Sequence, residues 1–206
     1  VRATETDPAD SENWMNLGYV YQNLITLVNG SDEAALARYE EALKRSPANA
    51  LAYARLGNVH LSLSDSARKA GNQDLIRNHL DAAEEAYKKA IILYNNYGQA
   101  LYNLAAVYDR KGELAQAIKQ FERLQATSQR DPSILFQLGL LYYRNGQKDA
   151  ALSAWERAVV VFPDYSNAHW YLSLIYEERN DLVRALSEVK TIEKFNKNNQ
   201  FWYSSG

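Results

Sequence analysis

Residues 132–165 read PSILFQLGLLYYRNGQKDAALSAWERAVVVFPDY. Leu135, Leu138 and Tyr142 fall three and four residues apart, the spacing of one helix face. Gly139 lies beside that face without a side chain, which lets a second helix approach closely. Asn145-Gly146 is a turn dipeptide able to end the first helix in a left-handed conformation. Ala151, Trp155 and Ala158 then form a stripe on a second helix, two small residues framing one large ring. Pro163 closes the unit, because proline has no backbone N–H with which to continue a helix.

Order and spacing resemble the tetratricopeptide repeat, a unit of about 34 residues with the pattern W-x2-L-G-x2-Y, then A-x3-F, then P. Leu135 takes the place of the tryptophan and Trp155 that of the phenylalanine. Five copies stand in register, at 11–49, 50–97, 98–131, 132–165 and 166–199. The resemblance implies an all-α, right-handed superhelix of helix-turn-helix repeats, and residues 1–206 read as a single solenoid domain. Residues 1–10 read as the remnant of a preceding repeat or as a cap, since Pro8 precedes Ser11 as Pro47 and Pro163 precede later repeats.

Two repeats are long. In the first, Trp14, Leu17, Gly18 and Tyr21 are followed by Ala35, Tyr39, Ala42 and Pro47 over 39 residues. Its surplus, Leu24 to Ser31, predicts a first helix about one turn too long. Repeat two holds 48 residues, with Tyr53, Leu56, Gly57 and His60, then Ala83, Tyr87 and Ala90. Its surplus around Ser64 to His79 predicts two helices lengthened by about two turns and joined at Gly71-Asn72, with Asp74 as N-cap. Arg68, Lys69, Asp74, Arg77 and Asn78 make that hairpin polar. Repeat three carries Leu101, Leu104, Ala105, Tyr108, Ala117 and Phe121. Repeat five is the most degenerate, as terminal repeats of solenoids are. The tail at 200–206 holds Phe201-Trp202-Tyr203 and reads as a truncated helix, a cap or a docking segment.

A hydrophobic fraction of 47% suffices for a core and argues against a disordered chain. The formal net charge of −2 lacks the basic stripe that nucleic acid requires. With 0 cysteines, disulfides and thiolate metal sites are excluded. No apolar run approaches the roughly 18 residues of a membrane span, so no membrane insertion is expected within these residues. The opening at Val1 rather than Met reads as a processed product or an excised piece. Either the cytoplasmic or the extracytoplasmic side of a bacterial envelope suits this composition.

No constellation suggests catalysis, a cofactor or a metal. His60 replaces a core tyrosine, His79 lies in the long hairpin and His169 opens repeat five; none belongs to an H-E-x-x-H. Carboxylates such as Asp81, Glu84 and Glu85 read as a solvated helix face. The glycines sit at helix crossings and turns, not in a phosphate loop.

The resemblance implies a concave wall made by the first helix of each repeat. Its expected peptide-binding residues are Met15, Asn16 and Tyr19 in repeat one, Asn58 in repeat two, and Tyr102 and Asn103 in repeat three. Phe136, Gln137 and Tyr143 follow in repeat four, and Trp170 in repeat five. Asn16, Asn103 and Gln137 recur at one equivalent position, although Arg55 and Tyr171 interrupt that series. Some members of the family grip a C-terminal carboxylate with a clamp of two Lys, one Arg and two Asn. Ser133 and Gln137 stand where a Lys and the Arg belong, so that mode is rejected. Aromatic side chains recur along the wall instead, the residue type enriched at binding hot spots.

These residues read as a non-catalytic interaction scaffold for a protein or peptide ligand, part of a larger bacterial protein. A self-assembly module that uses the aromatic tail, and hence forms a homo-oligomer, is the first alternative. Asn13 through Glu33, and with it the longer second repeat, is also similar to the repeat region of bacterial O-antigen polymerase or ligase-like membrane proteins, a likeness that covers mainly residues 7–95. That resemblance implies a second alternative, a soluble accessory domain of an envelope glycan-assembly protein.

Overall fold

A computed structural model describes residues 4–5, 7–25 and 27–198, of residues 196–198 the backbone alone. The aromatic tail at 200–206 lies outside the described residues. Ten α-helices of eight residues or more are described: α1 (Ser11–Asn23), α2 (Ser31–Arg45), α3 (Ala50–Lys69), α4 (Gln73–Leu93), α5 (Gly98–Lys111), α6 (Leu114–Thr127), α7 (Pro132–Arg144), α8 (Lys148–Val161), α9 (Ser166–Glu178) and α10 (Leu182–Asn198). No strand occurs among the described residues. The first helices of the pairs begin at Ser11, Ala50, Gly98, Pro132 and Ser166, where the sequence repeats open. The architecture is an all-α tetratricopeptide-type solenoid. By Cα packing the chain forms two compact units, Val1–Gln120 and Phe121–Gly206.

Local chemistry fixes the helix ends. Asp10, Asn49, Asn72 and Asp131 each cap a helix, their side chains accepting from backbone N–H groups of the first turn. Asn72 therefore occupies the place expected for Asp74, which lies inside the first turn of α4. At the other end, Gly112 and Gly146 take φ near +78° and +77°, the left-handed stop that costs glycine little. Asn180 does the same in the last repeat at φ 58°.

In the first unit, α1 and α2 pack through Met15, Ala35, Tyr39 and Ala42, continuous with Ala52, Leu56 and Val59 of α3. Gly18 and Gly57 lie against the rings of Tyr39 and Tyr87. The predicted extension of the first helix does not form: α1 has 13 residues, as α7 and α9 have. Leu24 closes α1, and the N–H groups of Leu27 and Val28 turn back onto the Leu24 carbonyl. Gly30 at φ 78° then starts α2. Leu27 is 76% exposed, so no neighbour rewards continuing the helix.

The lengthened hairpin does form, with 20 residues in α3 and 21 in α4. Its polar residues Arg68, Lys69, Asp74, Arg77 and Asn78 are exposed, but its stem is anchored. Arg110 of α5 reaches the Asp65 carboxylate at 2.8 Å and the buried Ser64 hydroxyl at 3.3 Å. Lys111 reaches Asp81 at 2.8 Å and Glu84 at 2.6 Å.

In the second unit, Trp155 is fully buried among Leu135, Ala151, Ala158, Ala168 and Leu172. Its indole N–H donates to the Phe136 carbonyl at 3.2 Å. Tyr142 of α7 donates to Glu122 at 2.8 Å and Tyr176 of α9 to Glu156 at 2.9 Å, one bond repeated a repeat later.

Candidate functional site

The first helices carry every residue expected on the wall, but they do not present them alike. In the first unit Tyr19 and Tyr102 are 47% and 42% exposed, and Asn16 is exposed beside Tyr19. In the second unit Trp170 is 54% exposed. Met15 and Phe136 are buried, being 8% and 7% exposed. Met15 belongs to the α1–α2–α3 core. The Phe136 ring packs against Tyr165 and Tyr171 at centroid distances of 5.1 and 5.7 Å, a slot already filled from α9 and the turn before it.

The amides are partly committed as well. The Asn58 carbonyl oxygen accepts from the Tyr87 hydroxyl at 2.8 Å and from the Asn103 amide at 2.8 Å. Gln99 in turn donates to the Asn103 carbonyl oxygen at 3.3 Å. Together they form a polar seam from α5 through α3 to α4. Tyr39 makes the corresponding bond to Gln22 at 2.6 Å. Burial drives the Tyr39 hydroxyl up to about 12 against the pull of the Arg55 cation, and raises that of Tyr87 further, so both remain donors. Gln137 is half-buried on α7. Tyr143 donates to Glu178 at 2.5 Å, and that carboxylate also meets Lys148 at 2.7 Å.

Where α1 faces α3, the first unit has an open pocket of about 430 Å³. Asn16, Tyr19, Ser46, Asn49, Leu51 and Arg55 are among its lining residues. The Arg55 guanidinium lies 4.6 Å from the centroid of the Tyr19 ring, a cation–π contact that holds it at the pocket wall. Arg55, which breaks the amide series in sequence, thus gives this pocket its positive charge. Glu12 and Asp10 line the pocket as well.

The histidines are not all separate. His60 of α3 and His79 of α4 face each other, with their Nδ1 atoms 3.3 Å apart. Burial lowers the pKa of both rings. His169 is buried and bonded to Glu188 through Nδ1 and to the Pro163 carbonyl oxygen through Nε2. Among the described residues no group of three or more His, Cys, Asp or Glu is placed to hold a metal ion. No described helix is long and apolar enough to cross a membrane.

Comparison with known proteins fits this geometry. Sequence models of the tetratricopeptide repeat match residues 29–64, 86–119 and 136–196. The chain belongs to the tetratricopeptide repeat family. Repeats of this family act as protein-interaction scaffolds. Among curated relatives, the photosystem I assembly protein Ycf3 of Prochlorococcus marinus (strain MIT 9301) is 29% identical over 98 residues, 39% of this chain and 57% of its own. Response regulator aspartate phosphatase E of Bacillus subtilis (strain 168) is 27% identical over 141 residues, 60% of this chain and 38% of its own. The match therefore spans little more than half the length of the Ycf3 relative. Among solved structures, a MamA protein superimposes with a TM-score of 0.75 at 21% identity, covering 93% of this chain and 94% of that one. YrrB, a TPR protein with an unusual peptide-binding site, superimposes with a TM-score of 0.70 at 22% identity, covering 97% and 93%. At these identities the likeness establishes the fold.

Proposed function

We propose that this tetratricopeptide chain is a non-catalytic scaffold that holds a peptide or protein segment against the wall made by its first helices. The observation that carries the reading is the pocket between α1 and α3, where Arg55 lies over Tyr19 beside Asn16 and Asn49. An aromatic ring supplies apolar area, the guanidinium attracts a carboxylate, and the amides match a peptide backbone. Tyr102 and Trp170 extend the exposed aromatic surface, each within its own unit. Met15 and Phe136 act beneath the wall and shape it.

The test is binding of a peptide library by wild type and by the Tyr19→Ala/Arg55→Ala variant, with circular dichroism as the control for folding. Apolar-acidic peptides selected by wild type should lose about 2 kcal/mol or more of affinity in the variant, the scale of a hot spot. Equal binding by both proteins overturns the assignment. Tyr102→Ala and Trp170→Ala, made separately, show whether the segment continues along either unit.

A further inference from the structure

His60 occupies the repeat position that holds tyrosine in the other four units: Tyr21, Tyr108, Tyr142 and Tyr176. His79 comes from the surplus of repeat two, in the extended N-terminal part of α4. The lengthening thus supplies a second imidazole opposite the first. Their ring planes are inclined by 30° with centroids 5.5 Å apart, and the two Nδ1 atoms are 3.3 Å apart.

That separation lies at the long end of a hydrogen bond, the same length as the Gln99–Asn103 bond. A neutral pair could use it only with one ring donating and the other accepting. The same separation also fits a shared ion. Zinc lies about 2.0–2.1 Å from each histidine nitrogen, and tetrahedral angles then set two such nitrogens about 3.3–3.4 Å apart. A right angle at the same bond length would set them about 2.9 Å apart.

We propose that His60 and His79 bind a tetrahedral divalent cation of the zinc type through their Nδ1 atoms. No further His, Cys, Asp or Glu among the described residues completes a three-ligand group, so two positions remain for water or for a donor from a partner. The site is reachable: both rings are half-buried, and His60 borders an open cavity of about 160 Å³ together with Tyr53 and with Glu85, with which Lys89 of the same cavity pairs at 2.7 Å. Imidazole nitrogens suit zinc and its first-row neighbours rather than magnesium or calcium. A bound ion ties α3 to α4 at the foot of the extended hairpin.

The experiment uses the full chain without an affinity tag, stripped with chelator and titrated first with Co²⁺ and then with Zn²⁺. One ion per chain is expected, with the intense visible absorption of tetrahedral Co²⁺, displaced by Zn²⁺. His79→Ala and His60→Phe, the latter restoring a six-membered ring at this position, should each weaken binding about tenfold or more. His169→Ala should bind as wild type does. The proposal is overturned by wild-type affinity in either of the first two variants, by equal loss in the His169 variant, or by no saturable binding. The weak absorption of octahedral Co²⁺ overturns it as well.

Discussion

A Cβ atom added to Gly139 would lie 2.2 Å from the indole nitrogen of Trp155. The large ring of the second helix occupies the place of the missing side chain on the first. Gly139→Ala must displace a fully buried ring whose N–H is bonded to the Phe136 carbonyl oxygen. The expected cost is about 1–3 kcal/mol, read from the urea midpoint. Combining it with Trp155→Leu should cost less than the sum of the two single changes, because the smaller side chain vacates the contact.

Asn58 holds two donors with one oxygen. Asn58→Ala leaves the Tyr87 hydroxyl and the Asn103 amide without that acceptor, and should destabilise by about 1–3 kcal/mol. Tyr87→Phe should cost about 1 kcal/mol in wild type and clearly less in the Asn58→Ala background. Equal costs in both backgrounds would show that the seam contributes nothing as a unit.

The His60–His79 pair gives stability a pH dependence once metal is removed by chelator. Both pKa values are lowered in the folded chain, by burial first and, for His60, by the charge of His79 second. The folded state therefore binds fewer protons than the unfolded chain near and below pH 6.5. Stability should be full above that value and fall as the pH drops through the folded pKa values. Urea unfolding between pH 8 and 5 should show a shallower fall in His60→Gln/His79→Gln than in wild type.

Asn180 adopts φ 58° at the place where Gly112 and Gly146 stop their helices. Asn180→Gly should stabilise by about 0.5–1 kcal/mol, because the left-handed conformation is strained for a residue with a Cβ. Gly146→Ala should destabilise by a similar amount. Thermal unfolding reads both.

The period of the chain made its helix pairs legible, since each unit repeats the same small-large complementarity between Gly and ring. Legibility ended where long-range neighbours decide. Tyr102, Phe136 and Trp170 share one register position, yet only Phe136 is buried, because Tyr165 and Tyr171 fill the space around it. The apolar run after α1 looked helical, but Leu27 has no surface to cover and the chain turns at Gly30 instead. His60 and His79 lie on antiparallel helices joined through an irregular insertion, so their register across the pair was not readable from spacing. Arg55 read as an interruption because its partner, Tyr19, belongs to another repeat.

The long α3–α4 hairpin also sets an order of opening. It has the most extensive helix-to-helix contact among the described pairs, made between segments adjacent in sequence, with the Arg110 and Lys111 anchors at its stem. Closing such local contacts costs little loop entropy. In a repeat array whose units add their stabilities, the second repeat is then the natural seed, and the termini fray towards it. Its buried amides, around Val59 and Ala86, should exchange with deuterium last, and those of α10 much earlier.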